Sequence, residues 1–282
     1  MRKMFLAAGA IGLAALAGCK EGVLDPKGPI ALAEFQILTN STAIMLAIVI
    51  PTIIATLCVA FWFRASNRRA RYLADFEHSG RIELLVWAIP IMTVLLVGGV
   101  AWVGAHDLDP KKPIDSTARP LRVQVISLDW KWLFIYPDEG IATVNQLTIP
   151  VGRPVTFELT GAGVMNSFFV PQLGSQMYTM AGMVNYLNLQ ADHAGRYPGL
   201  SAEFSGEGFA DMRFTLDAVN DADYARWLAG VRAGGRPFDL DTYAQLARPS
   251  VAVAPATYGQ VPSNIFDSIV RATALNCGGK RK

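Results

Sequence analysis

Two stretches of the chain, residues 43–63 and 84–105, contain no Asp, Glu, Lys or Arg. Each is long enough to cross a hydrocarbon core as a helix, which takes about 20 consecutive apolar residues. Inside a bilayer every backbone N–H and C=O must be satisfied by the protein, so an isolated span of this kind has to be helical. The pair therefore dictates a membrane hairpin. Pro51 falls within the first run, where a membrane helix tolerates it as a kink. Trp62, Trp87 and Trp102 fall near the run ends, where amphipathic rings settle at the headgroup level. Composition agrees, with 52% hydrophobic and only 17% charged residues over 282 positions.

The connection between the runs reads FRASNRRARYLADFEHSGRIE and carries Arg64, Arg68, Arg69, Arg71 and Arg81. The outer flanks balance Lys20, Lys27, Lys111 and Lys112 against Glu21, Asp25, Glu34, Asp107 and Asp109. The positive-inside rule places the arginine loop in the cytoplasm and both mature termini outside it. The N-terminus gives the same orientation independently. Arg2 and Lys3 precede a short apolar core ending in small residues, the pattern of a secretory signal over residues 1–18. Leu16-Ala17-Gly18-Cys19 resembles the bacterial lipoprotein cleavage box, which implies lipidation of Cys19 as the first mature residue. Residues 19–41 then form a periplasmic N-terminal segment and 42–106 the transmembrane hairpin. A net charge of +2 gives no footprint for nucleic acid. The three cysteines, Cys19, Cys58 and Cys277, imply no disulfide framework.

Beyond a polar, Pro-punctuated linker the pattern changes. Leu121, Val123 and Val125 alternate with polar residues, and 130–136 is aromatic-rich. Runs at 144–149, 155–159, 167–170, 186–190 and 212–216 follow, separated by Gly, Pro, Asn and Asp. Short strands between such turns predict a β-sandwich over 115–218. Residues 219–282 read as helical: Tyr224, Trp227, Leu228 and Val231 recur at helical spacing and stop at Gly234-Gly235. A shorter helix is expected over 241–247, and Ser263 is placed to cap a third with Phe266, Ile269 and Val270 on one face. The fold class is a membrane-anchored α+β chain: a two-helix hairpin, an exported β-sandwich and a short helical C-terminal region.

Chemistry is concentrated in residues 199–212, GLSAEFSGEGFADM. Ser201 and Ser205 stand four apart, Phe209 follows four later and Met212 three after that. Thiolates at the serines and an imidazole at Phe209 would suit copper. A serine hydroxyl stays protonated near neutral pH, and Phe209 has no donor atom. The histidines supply no substitute: His78 lies in the arginine loop, His106 at a membrane edge, and His193 beside the single carboxylate of Asp192 in a turn.

A lipoprotein signal, a hairpin and an exported β-domain with this loop together resemble subunit II of the haem–copper terminal oxidases. The runs SLDWKWLFIYPDEGIATVN (127–145), VMNSFFVPQLGSQMYTMAGM (164–183) and the 199–212 loop look like its quinol oxidase branch, of the cytochrome bo type. The similarity covers nearly the whole mature chain. It implies a cupredoxin-like sandwich. In the cytochrome c oxidase branch a dinuclear copper centre occupies the positions that fall here on Asn166, Ser201, Glu203, Ser205, Phe209 and Met212. That branch uses histidine, cysteine, a backbone carbonyl, cysteine and histidine at the first five, so only Glu203 and Met212 persist. The resemblance thus implies no metal on this chain, haems and copper in subunit I, and ubiquinol as substrate of the complex. It implies subunit I, further small membrane subunits and the lipid bilayer as partners, without cytochrome c. Trp130 and Trp132 match an aromatic pair that receives electrons from cytochrome c in copper-bearing relatives; here they are expected to pack or to contact subunit I. Glu83, an acid at membrane depth, is a functional suspect by its cost, and the resemblance sets it near a proton channel that continues in subunit I. The plainer reading is a helix-start glutamate favoured by the dipole and paired with Arg81. Two other functions compete: a cytochrome c oxidase subunit II, which needs the missing thiols and imidazole, and a non-enzymatic lipoprotein acting in assembly.

Overall fold

In a computed structural model, the structure describes residues 22–71 and 75–278. Cys19 and the signal lie outside the described residues. The chain divides into two compact units, residues 33–109 and residues 22–32 joined with 110–278.

The first unit is the helical hairpin. Helix α1 (Pro29–Trp62) and helix α2 (Gly80–Asp107) are both long and apolar enough to cross a membrane. Helix α1 begins well before the apolar run, inside the expected periplasmic segment 19–41, because 29–42 carries a single charge, Glu34, and no helix breaker after Pro29. Pro at the first helical position has no N–H to waste. Threonine hydroxyls in these helices are satisfied locally: Thr52 Oγ1 donates to the Ile48 carbonyl and Thr93 Oγ1 to the Ile89 carbonyl, each at 2.8 Å. The helices meet at Gly104 of α2, where a Cβ would fall 2.6 Å from the Ile37 side chain of α1, so a small residue is needed at that contact.

The second unit is a sandwich of a seven-stranded and a five-stranded sheet. Strands β1 (Leu121–Leu128), β2 (Lys131–Tyr136), β3 (Ile141–Val144), β5 (Val155–Gly161) and β8 (Asn185–Leu189) belong to the larger sheet, with β11 (Arg236–Pro237) and β12 (Ala256–Gln260). Its order is β11-β12-β3-β2-β1-β5-β8. The smaller sheet has the order β4-β10-β9-β6-β7, from β4 (Gln146–Pro150), β6 (Asn166–Phe169), β7 (Met177–Thr179), β9 (Gly195–Ser201) and β10 (Arg213–Val219). The single run expected over 144–149 is in fact two strands in different sheets. Asn145 breaks it with φ of 54°, a left-handed conformation that asparagine tolerates better than most residues. Its buried side chain then accepts from Trp132 N and donates to the Val253 carbonyl, both at 2.8 Å.

Side-chain alternation on β2 builds two cores at once. Trp132, Phe134 and Tyr136 point between the sheets, against Phe157, Phe168 and Phe214. Leu133 and Ile135 point to the other face, where Phe238, Ile265, Phe266 and Ile269 cover them. The covering residues come from the C-terminal region: helices α3 (Asp221–Gly234), α4 (Leu240–Leu246) and α5 (Ile265–Gly278), together with β11 and β12. This region is therefore helical with two added strands, and it completes the larger sheet. Asn220 caps α3 by accepting from Asp223 N, and Asp239 caps α4 by accepting from Thr242 N. Helix α5 starts at Ile265, two residues past Ser263, so the expected serine cap is displaced. Lys131 is buried at the edge of the second core and donates to the Arg248 and Asp129 carbonyls at 2.8 and 3.1 Å. Burial holds its amine below the usual lysine range, and Asp129 pulls the other way.

Residues 22–32 are strapped to this unit. Lys27 N donates to the Gln172 carbonyl and Asp192 N to the Lys27 carbonyl, both at 2.8 Å. Lys27 pairs with Asp25 at 2.8 Å, and the Gln172 amide reaches Asp25.

Candidate functional site

The smaller sheet brings the 199–212 loop against β6. Strand β9 ends at Ser201 and β10 begins at Arg213, so the loop spans two hydrogen-bonded neighbours, and Ser201 N still donates to the Met212 carbonyl at 3.1 Å. Strand β6 lies on the other side of β9, with Phe168 registered on Ser201. This pairing sets Asn166, at the head of β6, beside Ser201.

The side chains then close on one another. Ser201 Oγ lies 3.0 Å from Asn166 Oδ1 and 3.2 Å from the Glu203 carbonyl oxygen, with one proton to give. Ser167 N–H approaches the same hydroxyl at 3.5 Å. Asn166 turns its amide nitrogen to the Val164 carbonyl at 3.0 Å, and its own carbonyl accepts from Thr179 Oγ1 at 3.2 Å. Ser205 Oγ points at Met212 Sδ, 3.9 Å away. Asn166, Ser201 and Met212 are all buried. Five of the six positions singled out from the sequence thus meet around Ser201 and Met212. Phe209 instead packs edge-on against the exposed Phe204 ring, 5.5 Å between centroids.

Trp130 holds the loop from below. It sits in the β1–β2 turn with φ of 62°, and its indole N–H donates to the Ser205 carbonyl at 3.1 Å. The ring lies so close to Gly208 that a Cβ there would fall 2.5 Å from it, which leaves glycine as the residue that fits. Trp132 is fully buried behind the loop, edge-on to Phe168 and Phe214 at 5.5 and 5.7 Å. The tandem tryptophans therefore do different work, one clasping the loop and one filling the core. That Trp130 is a clasp was not visible from spacing; a left-handed tryptophan in a tight turn has no sequence signature of its own.

The donor set decides what the arrangement can bind. It offers two hydroxyls, an amide oxygen, a backbone carbonyl and a thioether. Copper of this kind is held by thiolate and imidazole, and a lone thioether is a weak donor. The residues present do not fit a dinuclear copper centre. The neutral groups satisfy one another as a buried polar network should. Among the described residues no three His, Cys, Asp or Glu side chains converge on a common point.

The other candidates are dispersed. Glu83 lies in the first turn of α2, where His78 Nδ1 stands 2.7 Å from its Oε1, with both side chains more than half exposed. The partner is thus His78 rather than Arg81. His106 Nδ1 is 2.9 Å from the Trp102 carbonyl, and His193 is an exposed turn residue whose carbonyl accepts from Tyr197.

Residues 138–219 match the family model "Cytochrome C oxidase subunit II, periplasmic domain", and 232–272 match "COX Aromatic Rich Motif". The second match coincides with the C-terminal region that covers the larger sheet. The chain is 44% identical over 255 residues to cytochrome bo(3) ubiquinol oxidase subunit 2 of Pseudomonas aeruginosa, covering 90% of this chain and 77% of that one. It is 46% identical over 258 residues to ubiquinol oxidase subunit 2 of Acetobacter aceti, covering 90% and 83%. Among solved structures, the periplasmic domain of subunit II of cytochrome oxidase of Bradyrhizobium japonicum is 23% identical, covering 42% of this chain and 96% of that one, with a TM-score of 0.39. On the identity and coverage of these matches, this chain belongs to the ubiquinol oxidase subunit 2 family.

Proposed function

We propose that this chain is the second subunit of a ubiquinol oxidase, a complex that reduces O2 to water with quinol electrons and conserves the energy as a proton gradient. The observation that carries this is the closed network of Asn166, Ser201 and the Glu203 carbonyl, in a family whose matched relatives are named for ubiquinol. An oxidase fed by a soluble protein donor needs a relay on the outer side; a quinol dissolved in the membrane does not. In this reading the copper positions have become scaffold, and haems, copper and most of the quinol site reside in subunit I.

The chain contributes an anchor, a cupredoxin-like cap outside the membrane, and docking surface for subunit I and smaller membrane subunits. Cys19 carries the lipid, both mature termini face the periplasm, and the arginine loop faces the cytoplasm; the charge distribution and signal sequence support this orientation. Glu83 takes up protons from the cytoplasm. Its support is position: an acid in the first turn of a span, exposed enough to exchange with water and paired with a titratable imidazole.

The test is oxygen uptake by the complex purified through a tag on this chain. Turnover with ubiquinol, and none with reduced cytochrome c, is the expected result. Turnover with cytochrome c points to the cytochrome c oxidase alternative, and purification without haem points to an assembly lipoprotein.

A further inference from the structure

The turn after α1 is rich in cations that no described carboxylate pairs with. Among the described residues Arg64, Arg68, Arg69, Arg71 and Arg81 form no ion pair, and Glu83, the acid nearest Arg81, is engaged by His78. Asp75 and Glu77 form no ion pair either. The arginines are not scattered at random over the turn. Phe63, Arg64, Asn67, Arg71 and Phe76 line a cleft of about 590 Å³ at the end of the helix. Two of its walls are aromatic, and two cations flank it. The Arg64 guanidinium is held 4.2 Å over the Phe61 ring, one turn back along α1. Asn67 donates to the Trp62 carbonyl at 2.6 Å and accepts from Arg69 N at 3.2 Å, which fixes the turn. The first of these bonds also satisfies one of the carbonyls left open at the helix C-terminus.

We propose that this cleft is a binding site for an anionic phospholipid of the cytoplasmic leaflet, with the phosphate between Arg64 and Arg71 and the glycerol backbone against Phe63 and Phe76. The depth is right for such a ligand, since the cleft opens where a span ends at Trp62. Cations immediately beside a span on the cytoplasmic side attract anionic lipid, and aromatic walls at the interface suit its glycerol region. The leaflet rests on the orientation given under the proposed function; the site itself does not.

The test compares two double variants of the full chain in its purified membrane complex, titrated with phosphatidylglycerol in detergent and read by native mass spectrometry. Arg64→Gln with Arg71→Gln should weaken retention of the lipid roughly 10–30-fold, from the loss of two interfacial cations. Arg68→Gln with Arg69→Gln removes the same charge outside the cleft and should leave it near wild type. Equal weakening in both variants reduces the effect to diffuse charge and overturns the site, as does no weakening in either. If the first variant sheds a partner subunit while lipid retention is unchanged, the cleft binds protein instead. Oxidase activity measured in parallel keeps the two readings apart: an inactive wild-type complex that still shows the selective lipid loss fails the functional reading alone.

Discussion

Replacing Ser201 by alanine tests whether the 199–212 loop is held by hydrogen bonds. The hydroxyl is buried and has one proton, shared between Asn166 Oδ1 at 3.0 Å and the Glu203 carbonyl at 3.2 Å. Deleting it removes a net hydrogen bond and leaves Asn166 Oδ1 buried without its donor. The amide cannot recover by flipping, because its nitrogen is committed to the Val164 carbonyl. A lost bond plus an unsatisfied buried acceptor costs about 2 kcal/mol. For a domain of this size that lowers Tm by about 4–8 °C. The assay is thermal unfolding of the full chain in detergent, followed by tryptophan fluorescence, since Trp130 and Trp132 bracket the loop. Asn166→Ala should cost a similar amount, and the double variant less than the sum, because the partners are shared. Quinol turnover should remain near wild type. An unchanged Tm, or strict additivity, would show that the network does not hold the loop; lost turnover at unchanged stability would make Ser201 functional.

Three further outcomes follow from the same geometry. Gly199→Ala places a Cβ 2.1 Å from the Phe214 ring, which stacks on Phe168 at 5.1 Å, so overpacking should destabilise by about 1–3 kcal/mol in urea unfolding; a neutral substitution would mean the smaller sheet yields there. Burial depresses the Lys131 pKa below the unfolded value of 10.5, so between those values the unfolded chain binds more protons and stability rises with pH. The buried tyrosines, raised by burial, oppose that trend toward pH 10 but are common to both chains, so the urea midpoint of wild type relative to Lys131→Met should rise from about pH 8 to about pH 10; a constant difference would discard the buried-amine account. Glu83→Gln should lower quinol turnover with haem content and assembly intact, and undiminished turnover would remove the proton role.

Much of this architecture was legible because its causes are local. A charge-free run has one solution in lipid, so the hairpin could be read directly, though α1 extends back to Pro29 where the sequence is merely uncharged rather than apolar. Strands with clean alternation, such as β1 and β5, were found. Strand β9, GRYPGLS, was not, since its glycines and proline argue against a strand and only pairing with β10 and β6 makes it one. Asn145 carried a usable signal, a turn-prone residue inside an apolar run, yet its split of 144–149 between two sheets depends on contacts with Trp132 and Val253. The continuous apolar character of KWLFIY reflects burial on both faces of β2, and the second face exists only because distant residues 238–269 return to cover it. At the site, the spacing of Ser201, Ser205, Phe209 and Met212 gave the positions. It could not give the partners, since the Asn166–Ser201 bond spans 35 residues and rests on the register of β6 with β9.

Metal analysis of this chain, separated from its partners after growth with ample copper, bears most directly on the central claim. Neutral oxygens and one thioether in a closed network predict no stoichiometric copper on the chain, while the intact complex oxidises ubiquinol. About two coppers per chain, the complement that thiolate and imidazole ligands would hold, would contradict the account and return the loop to electron transfer.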